Sequence, residues 1–292
     1  MANTLGHIGT YDYDFCVLFL YHKCDELTKS HLESLRRSNP TAFVLPLTDS
    51  VAELLPGSVD VAQLPPFRAV ARKWRGIDAT LYRWFENRDF NARRYLAVEY
   101  DCLCNINLTN YYAEVWDADV AGIDFFTRQN NPRWYWFMHE LHNIPLEDRL
   151  HAAGIVPFTC TMFSHAALEK IVGNVYTHYI FCELRLGTTV NKLGLKFQRL
   201  PRLKRSTLCW HEYPWQTNRP GFFHAVKSLD HNLGKRGQPG DIPARVYDFL
   251  RSLTHTREFL PFFLWTRRQC WPYKPFIRLG SMVRRGLRLI SK

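Results

Sequence analysis

The first clear pattern is "FCVLFLYH" (15–22), an unbroken apolar run rich in strand-forming residues. Such a run predicts a strand covered on both faces. The period then changes. Asp25 is placed to cap a helix in which Leu27, His31, Leu32 and Leu35 share one face, and Asn39-Pro40 stops it. "TAFVLPL" (41–47) predicts a second strand, ending at Asp49. Pro56, Gly57, Pro65 and Pro66 punctuate a loop, after which "GIDATLYRWFENR" (76–88) sets Ile77, Leu81, Trp84 and Phe85 in a helical stripe. "RYLAVEYD" (94–101) predicts a third strand.

Downstream, Tyr112, Val115 and Trp116 mark a short helix, and "DVAGIDFF" (119–126) returns to strand character. "PRWYWFMHELHNIP" (132–145) has no clear period, while "GIVPFTCTMF" (154–163) is strand-like. Ser164 is read as the cap of a helix carrying Leu168, Ile171 and Val172, with Gly173 closing it. A further helix presents Leu186, Val190 and Leu193, stops at Gly194 and leads into "LKFQRL" (195–200). Strands alternating with helices predict an α/β layered sheet. No internal repeat or low-complexity tract is visible. From residue 232 the pattern loosens, and residues 255–292 hold nine Lys/Arg against one acid, Glu258. The expected division is a main domain, 1–231, and a basic, aromatic C-terminal extension, 232–292.

Composition narrows the classes. With 292 residues, 46% hydrophobic and 22% charged, the chain has a globular composition. Its net charge of +11 implies polyanionic company: nucleic acid, nucleotide phosphates or an anionic membrane face. No apolar run has the length of a transmembrane helix, and the N-terminus lacks the pattern of a secretory signal. The eight cysteines include no CxxC pair, which argues against a zinc site or a disulfide framework. Cys102 and Cys104 are expected reduced, one on each side of an extended segment, and a cytoplasmic setting is the simplest reading. In "HELH" (139–142) the histidines are three apart rather than four, so the zinc-protease motif is rejected.

The chemistry lies at the end of "RYLAVEYD". In a parallel sheet, ligands gather beyond the carboxyl ends of the strands, where Glu99 and Asp101 fall. A two-residue period sends both to one side if the extended form persists. Like charges this close require a cation between them or a raised pKa. A hard divalent ion takes carboxylate and phosphate oxygens together, so the pair reads as a diphosphate–metal clamp. An ordinary solvated strand exit carries the same residues, and the fragment alone does not choose.

The order of "FCVLFLYH", a strand ending in Asp49, "GIDATLYRWF" and "RYLAVEYD" resembles the nucleotide-binding half of GT-A glycosyltransferases. In that family a buried strand delivers an Asp-x-Asp type motif to a metal-bound sugar nucleotide. Here the motif is Glu99-Tyr100-Asp101, and its first acid departs from the pattern. The likeness continues through "VPFTCTMFSHAALEKIV" (156–172), "FCELRLGTTVNKLGLKF" (181–197) and "FFHAVK" (222–227), spanning roughly 15–230. It implies a GT-A-like, Rossmann-type mixed sheet flanked by helices.

It also implies a metal-dependent, inverting transfer of sugar from a nucleoside-diphosphate sugar to a hydroxyl of a glycan or lipid-linked acceptor, using Mn²⁺ or Mg²⁺. Asp101, Glu99 and His224 are the expected metal ligands, and Lys227 the phosphate partner. Glu183 is the expected general base. Asp49, with Lys73 or Asp78, is assigned to the nucleoside, and Tyr21 and His22 to the base pocket. Asp78 and Glu183 also suit first turns of helices for structural reasons alone. Two other readings stand: a nucleic-acid-binding protein or nuclease, weakened by the absence of a recognised binding motif, and a membrane-surface binding protein working through its tail. The tail equally suits a peripheral glycosyltransferase, or packing back onto the domain.

Overall fold

A computed structural model describes residues 11–49, 53–67, 76–176, 180–205, 207–208, 217, 220–227 and 229. Lys73 and the extension from 232 lie outside the described residues. The chain divides into two compact units, one of residues up to 102 with 106–200, the other of residues 103–105 with those from 201 onward.

The first unit opens with β1 (Tyr13–Leu20), α1 (Glu26–Ser38) and β2 (Phe43–Thr48). Asp25 caps α1 by accepting the Thr28 N–H at 2.8 Å, and Asn39 ends it, as the local sequence requires. A two-residue β3 (Val59–Asp60) follows, then α2 (Ile77–Glu86) and β4 (Ala92–Glu99). In chain order the other named elements are β5 (Leu103–Cys104), α3 (Leu108–Tyr112), β6 (Val120–Gly122), β7 (Asp124–Thr127) and α4 (Tyr135–Glu140). They continue with β8 (Ala153–Val156), β9 (Thr161–Ser164), α5 (His165–Asn174), α6 (Cys182–Lys192) and β10 (Phe197–Arg199). The last are α7 (Arg202–Arg205) and β11 (Phe222–Phe223).

A seven-stranded mixed sheet of order β10-β6-β9-β4-β1-β2-β3 carries this unit. Only β9 runs antiparallel to its neighbours, β4 and β6; the other pairings are parallel. Cys16, Leu18 and Leu20 of β1 join Tyr95 and Ala97 of β4 in a core with Leu81, Trp84 and Phe85 of α2, Leu168 and Ile171 of α5, and Leu184 and Leu186 of α6. The alternate residues Phe15, Val17 and Phe19 are buried too, and the Phe15 ring meets Trp116 at 5.4 Å. β1 is therefore covered on both faces, which is why its sequence is a continuous apolar run rather than an alternating one. The unit is thus a mixed α/β sheet flanked by helices, the layered architecture that the alternation of strands and helices predicts.

Three expectations change. The stretch 119–126 is two strands, since β6 joins the main sheet while β7 pairs with β8. The stretch 154–163 divides likewise into β8 and β9, with Cys160 at a φ of 67° between them. Gly173 does not close α5, which runs on to Asn174. The aromatic segment 132–145 contains α4, whose inward residues Trp136 and Phe137 are buried.

Candidate functional site

Because β1, β2 and β4 are parallel, their carboxyl ends emerge on one edge. The register pairs Leu20 with both Leu47 and Glu99, so Tyr21, Asp49 and Glu99 leave the sheet near the same level. Glu99 is half-buried, and its N–H donates to Thr159 Oγ1 at 3.0 Å. The extended form stops there. The Cys102 N–H reaches back to the Glu99 carbonyl at 2.9 Å, closing a turn over 99–102 that contains Asp101. The strand periodicity that would align Glu99 and Asp101 therefore does not extend to the second acid.

The turn is held from both sides. Tyr100 N–H donates to the Leu20 carbonyl at 2.9 Å, and the Tyr100 carbonyl lies 2.9 Å from Nδ1 of His31, a fully buried side chain of α1. A carbonyl only accepts, so His31 carries its proton on Nδ1 in this contact. The sequence marks His31 merely as one member of an apolar helix face. His22 meets the Tyr100 ring edge-on at 4.5 Å, and Lys23 Nζ lies 4.9 Å from the centre of the same ring.

Asp49 is exposed and accepts from Thr80 Oγ1 of α2 at 3.1 Å. Tyr21 is buried; its hydroxyl donates to Ser58 Oγ at 2.8 Å and accepts the Leu55 N–H at 3.1 Å. That hydroxyl ties down the loop after β2.

Glu183 lies in the first turn of α6 and is buried, with Oε1 accepting the Phe158 N–H at 3.1 Å. One residue before α6, the Phe181 N–H donates to Glu140 Oε2 at 2.6 Å, and the Phe181 ring stacks on Trp136 at 3.9 Å. Asp78 has no exposed surface. Its carboxylate is gripped by Arg185, Nε to Oδ2 at 2.8 Å and Nη2 to Oδ1, with both side chains fully enclosed. Asp78 thus contacts Arg185 rather than offering an open face to a nucleoside. Burial alone would lower the Arg185 pKa; the charge and hydrogen bonds of Asp78 outweigh it and hold the guanidinium above its ordinary range. The Cys182 thiol is pushed well up, first by burial and then by the charges of Asp78, Glu183 and Glu99. Tyr82 is raised by burial and then by Asp78. Arg185 was missed by sequence reading; its one signal is a cation flanked directly by Leu184 and Leu186.

The second unit is built on β5 and β11, which pair antiparallel with Leu103 opposite Phe223 and Cys104 opposite Phe222. Asn105 clamps the end of this pair, accepting the Gly221 N–H on Oδ1 at 2.6 Å while its own N–H reaches the Gly221 carbonyl at 3.1 Å. A Cβ at Gly221 would lie 2.2 Å from the Phe223 ring, so the close approach requires glycine there. His224 is buried and its N–H donates to the Thr207 carbonyl at 3.1 Å; Lys227 is exposed. In the chain, Leu103 follows Asp101 by two residues, and its strand partner Phe223 immediately precedes His224.

No family model and no curated protein matches this sequence. Among solved structures the chain is similar to an active-site mutant of LgtC, at 13% identity and a TM-score of 0.37, covering 64% of this chain and 73% of that one.

Proposed function

We propose that this protein is a metal-dependent, inverting glycosyltransferase that moves a sugar from a nucleoside-diphosphate donor to a hydroxyl of a glycan or lipid-linked acceptor. The observation that carries this reading is the convergence, at the carboxyl ends of β1, β2 and β4, of His22, Asp49 and Glu99, followed at once by the anchored turn holding buried Asp101. Ligands of α/β sheets bind beyond that edge.

Asp101 and His224 are proposed to hold a divalent cation, with Glu99 beside them. A carboxylate oxygen and an imidazole nitrogen suit Mn²⁺, whereas Mg²⁺ favours oxygen alone. Cys102 follows Asp101 in the chain, and a soft thiol is the donor that either ion favours least. When bound, the ion neutralises charge on the departing diphosphate. Asp49 is assigned to the ribose or base, His22 to the base, and exposed Lys227 to a phosphate, with Lys73 as a further donor contact.

Glu183 takes the proton of the acceptor hydroxyl as that oxygen bonds to the anomeric carbon. The bond from that carbon to the diphosphate oxygen breaks, and the leaving group keeps the electron pair. The Phe158 N–H fixes one oxygen of Glu183, which orients the carboxylate for this task. The test is a thermal-shift panel of UDP-, GDP- and CMP-sugars with and without Mn²⁺. Stabilisation by a UDP- or GDP-sugar, dependent on Mn²⁺, supports the reading; no response to either, or a response to the monophosphate CMP-sugars alone, contradicts it.

A further inference from the structure

Arg185 and Asp78 form a fully enclosed ion pair joined by two hydrogen bonds across 107 residues of sequence. Burying two ions costs more than their attraction returns unless the geometry is good, and well-packed apolar residues often replace such pairs without loss of stability. Stability alone therefore gives a weak reason for the pair. Its place gives a stronger one, because Arg185 follows Glu183 by two residues in the first turns of α6. Asp78 sits in the first turn of α2, so the two-pronged contact sets α6 against α2 in both translation and rotation.

α6 is also fixed against β8. Thr188 Oγ1 donates to the Ala153 carbonyl at 3.2 Å, and a Cβ at Gly187 would lie 2.5 Å from that carbonyl oxygen. Glu183 depends on the helix staying where it is, since a small rotation breaks its bond from the Phe158 N–H. The charges converge as well: the carboxylates of Asp78, Glu183 and Glu99 all act on the Cys182 thiol. Asp78 occupies the guanidinium fork, so Arg185 is not drawn to Glu183.

We infer that the Asp78–Arg185 pair is a positioning device that holds Glu183 in place as the proton acceptor. The inference rests on the reading of Glu183 as the base. Without the pair, the first turn of α6 shifts while the donor edge at β1, β2 and β4 is untouched.

The experiment uses the full chain and the UDP- or GDP-sugar that stabilises the wild-type protein with Mn²⁺. It compares Asp78→Leu/Arg185→Met, Arg185→Lys and Glu183→Gln for melting temperature, donor KM and turnover. The apolar double variant is expected to melt within about 5 °C of wild type. Its turnover is expected to fall about a hundredfold, with donor KM changed less than about twofold. Arg185→Lys keeps the charge but loses the fork, and the same split is expected there. Near-wild-type turnover in a folded double variant overturns the inference. If the double variant does not fold, Arg185→Lys decides, and wild-type turnover in it overturns the inference. Loss in Glu183→Gln with none in the pair variants overturns the inference and leaves the proposed base standing. Full turnover in Glu183→Gln removes the base reading, and the inference with it.

Discussion

A single peptide carbonyl, that of Tyr100, shows how the acidic turn is held: His31 donates to it from within α1. His31→Leu removes that donor while keeping an apolar fill, and is expected to cost about 1 kcal/mol in urea denaturation. An unchanged midpoint would show that the contact is incidental. Glu183→Gln keeps the shape and the Phe158 contact but cannot take a proton. Turnover should fall about 10²–10⁴-fold with donor affinity unchanged, as steady-state kinetics and direct titration will show. At this scale the sequence was legible where chemistry is local and silent where it is not. Glu99 and Asp101 stand out as candidates in the one short motif "RYLAVEYD", and Glu183 through its place in the family resemblance. The Asp78–Arg185 pair could not, because nothing near Arg185 in the chain identifies a partner 107 residues away. The turn at 99–102 was missed because its closing bond is made by backbone, with no marker residue to announce it.

The elements follow from caps and from packing, and the two differ in how far the sequence reveals them. Asp25 and Ser164 were readable as caps because each accepts an N–H three residues on, a bond written entirely in neighbouring residues. Where strands change sheet, as between β6 and β7, the apolar run continues and only the topology shows the break. Gly173 is not a stop because, unlike Gly194 with its φ of 62°, it does not adopt the left-handed conformation that ends a helix, and α5 runs on to Asn174. Asp25→Ala is expected to cost about 1 kcal/mol through loss of the α1 cap, read by thermal or urea unfolding. Slight burial would raise the Asp25 pKa, but hydrogen bonds from Lys23 and Thr28 outweigh it and lower it to about 2. Its folded-state value thus lies below that of the unfolded chain. The stabilisation is present above roughly pH 4 and is lost as pH falls towards 2. Stability measured across that window should therefore drop more in wild type than in Asp25→Ala. Gly187→Ala tests the seat of α6. A Cβ there meets backbone of Ala153 and Gly154 within 2.6 Å, so destabilisation of about 1–3 kcal/mol is expected. Wild-type stability would mean that α6 is free to move away from β8.

For the whole molecule, the parallel edge of the sheet is where the account stands or falls. The charge of +11, concentrated towards the C-terminus, adds a second expectation that concerns residues outside those described. Truncation after residue 250 should leave nucleotide binding intact and weaken attachment to anionic vesicles. Each basic residue near such a surface contributes about 1 kcal/mol. That attraction is screened over about 8–10 Å at physiological salt, so cosedimentation across a salt series reads it directly. A truncated protein that unfolds would instead make the extension part of the core. The central claim is narrower: a nucleoside diphosphate binds at the carboxyl ends of β1, β2 and β4 through a divalent cation held by Asp101. Calorimetric titration of UDP, GDP and CMP into the full chain, in Mn²⁺ and then in EDTA, tests it most directly when repeated on Asp101→Ala. The account predicts binding of UDP or GDP, but not of the monophosphate CMP, by wild type in Mn²⁺, none in EDTA, and none by Asp101→Ala, which should melt within about 5 °C of wild type. Equal binding in EDTA, or undiminished binding by Asp101→Ala, would contradict it.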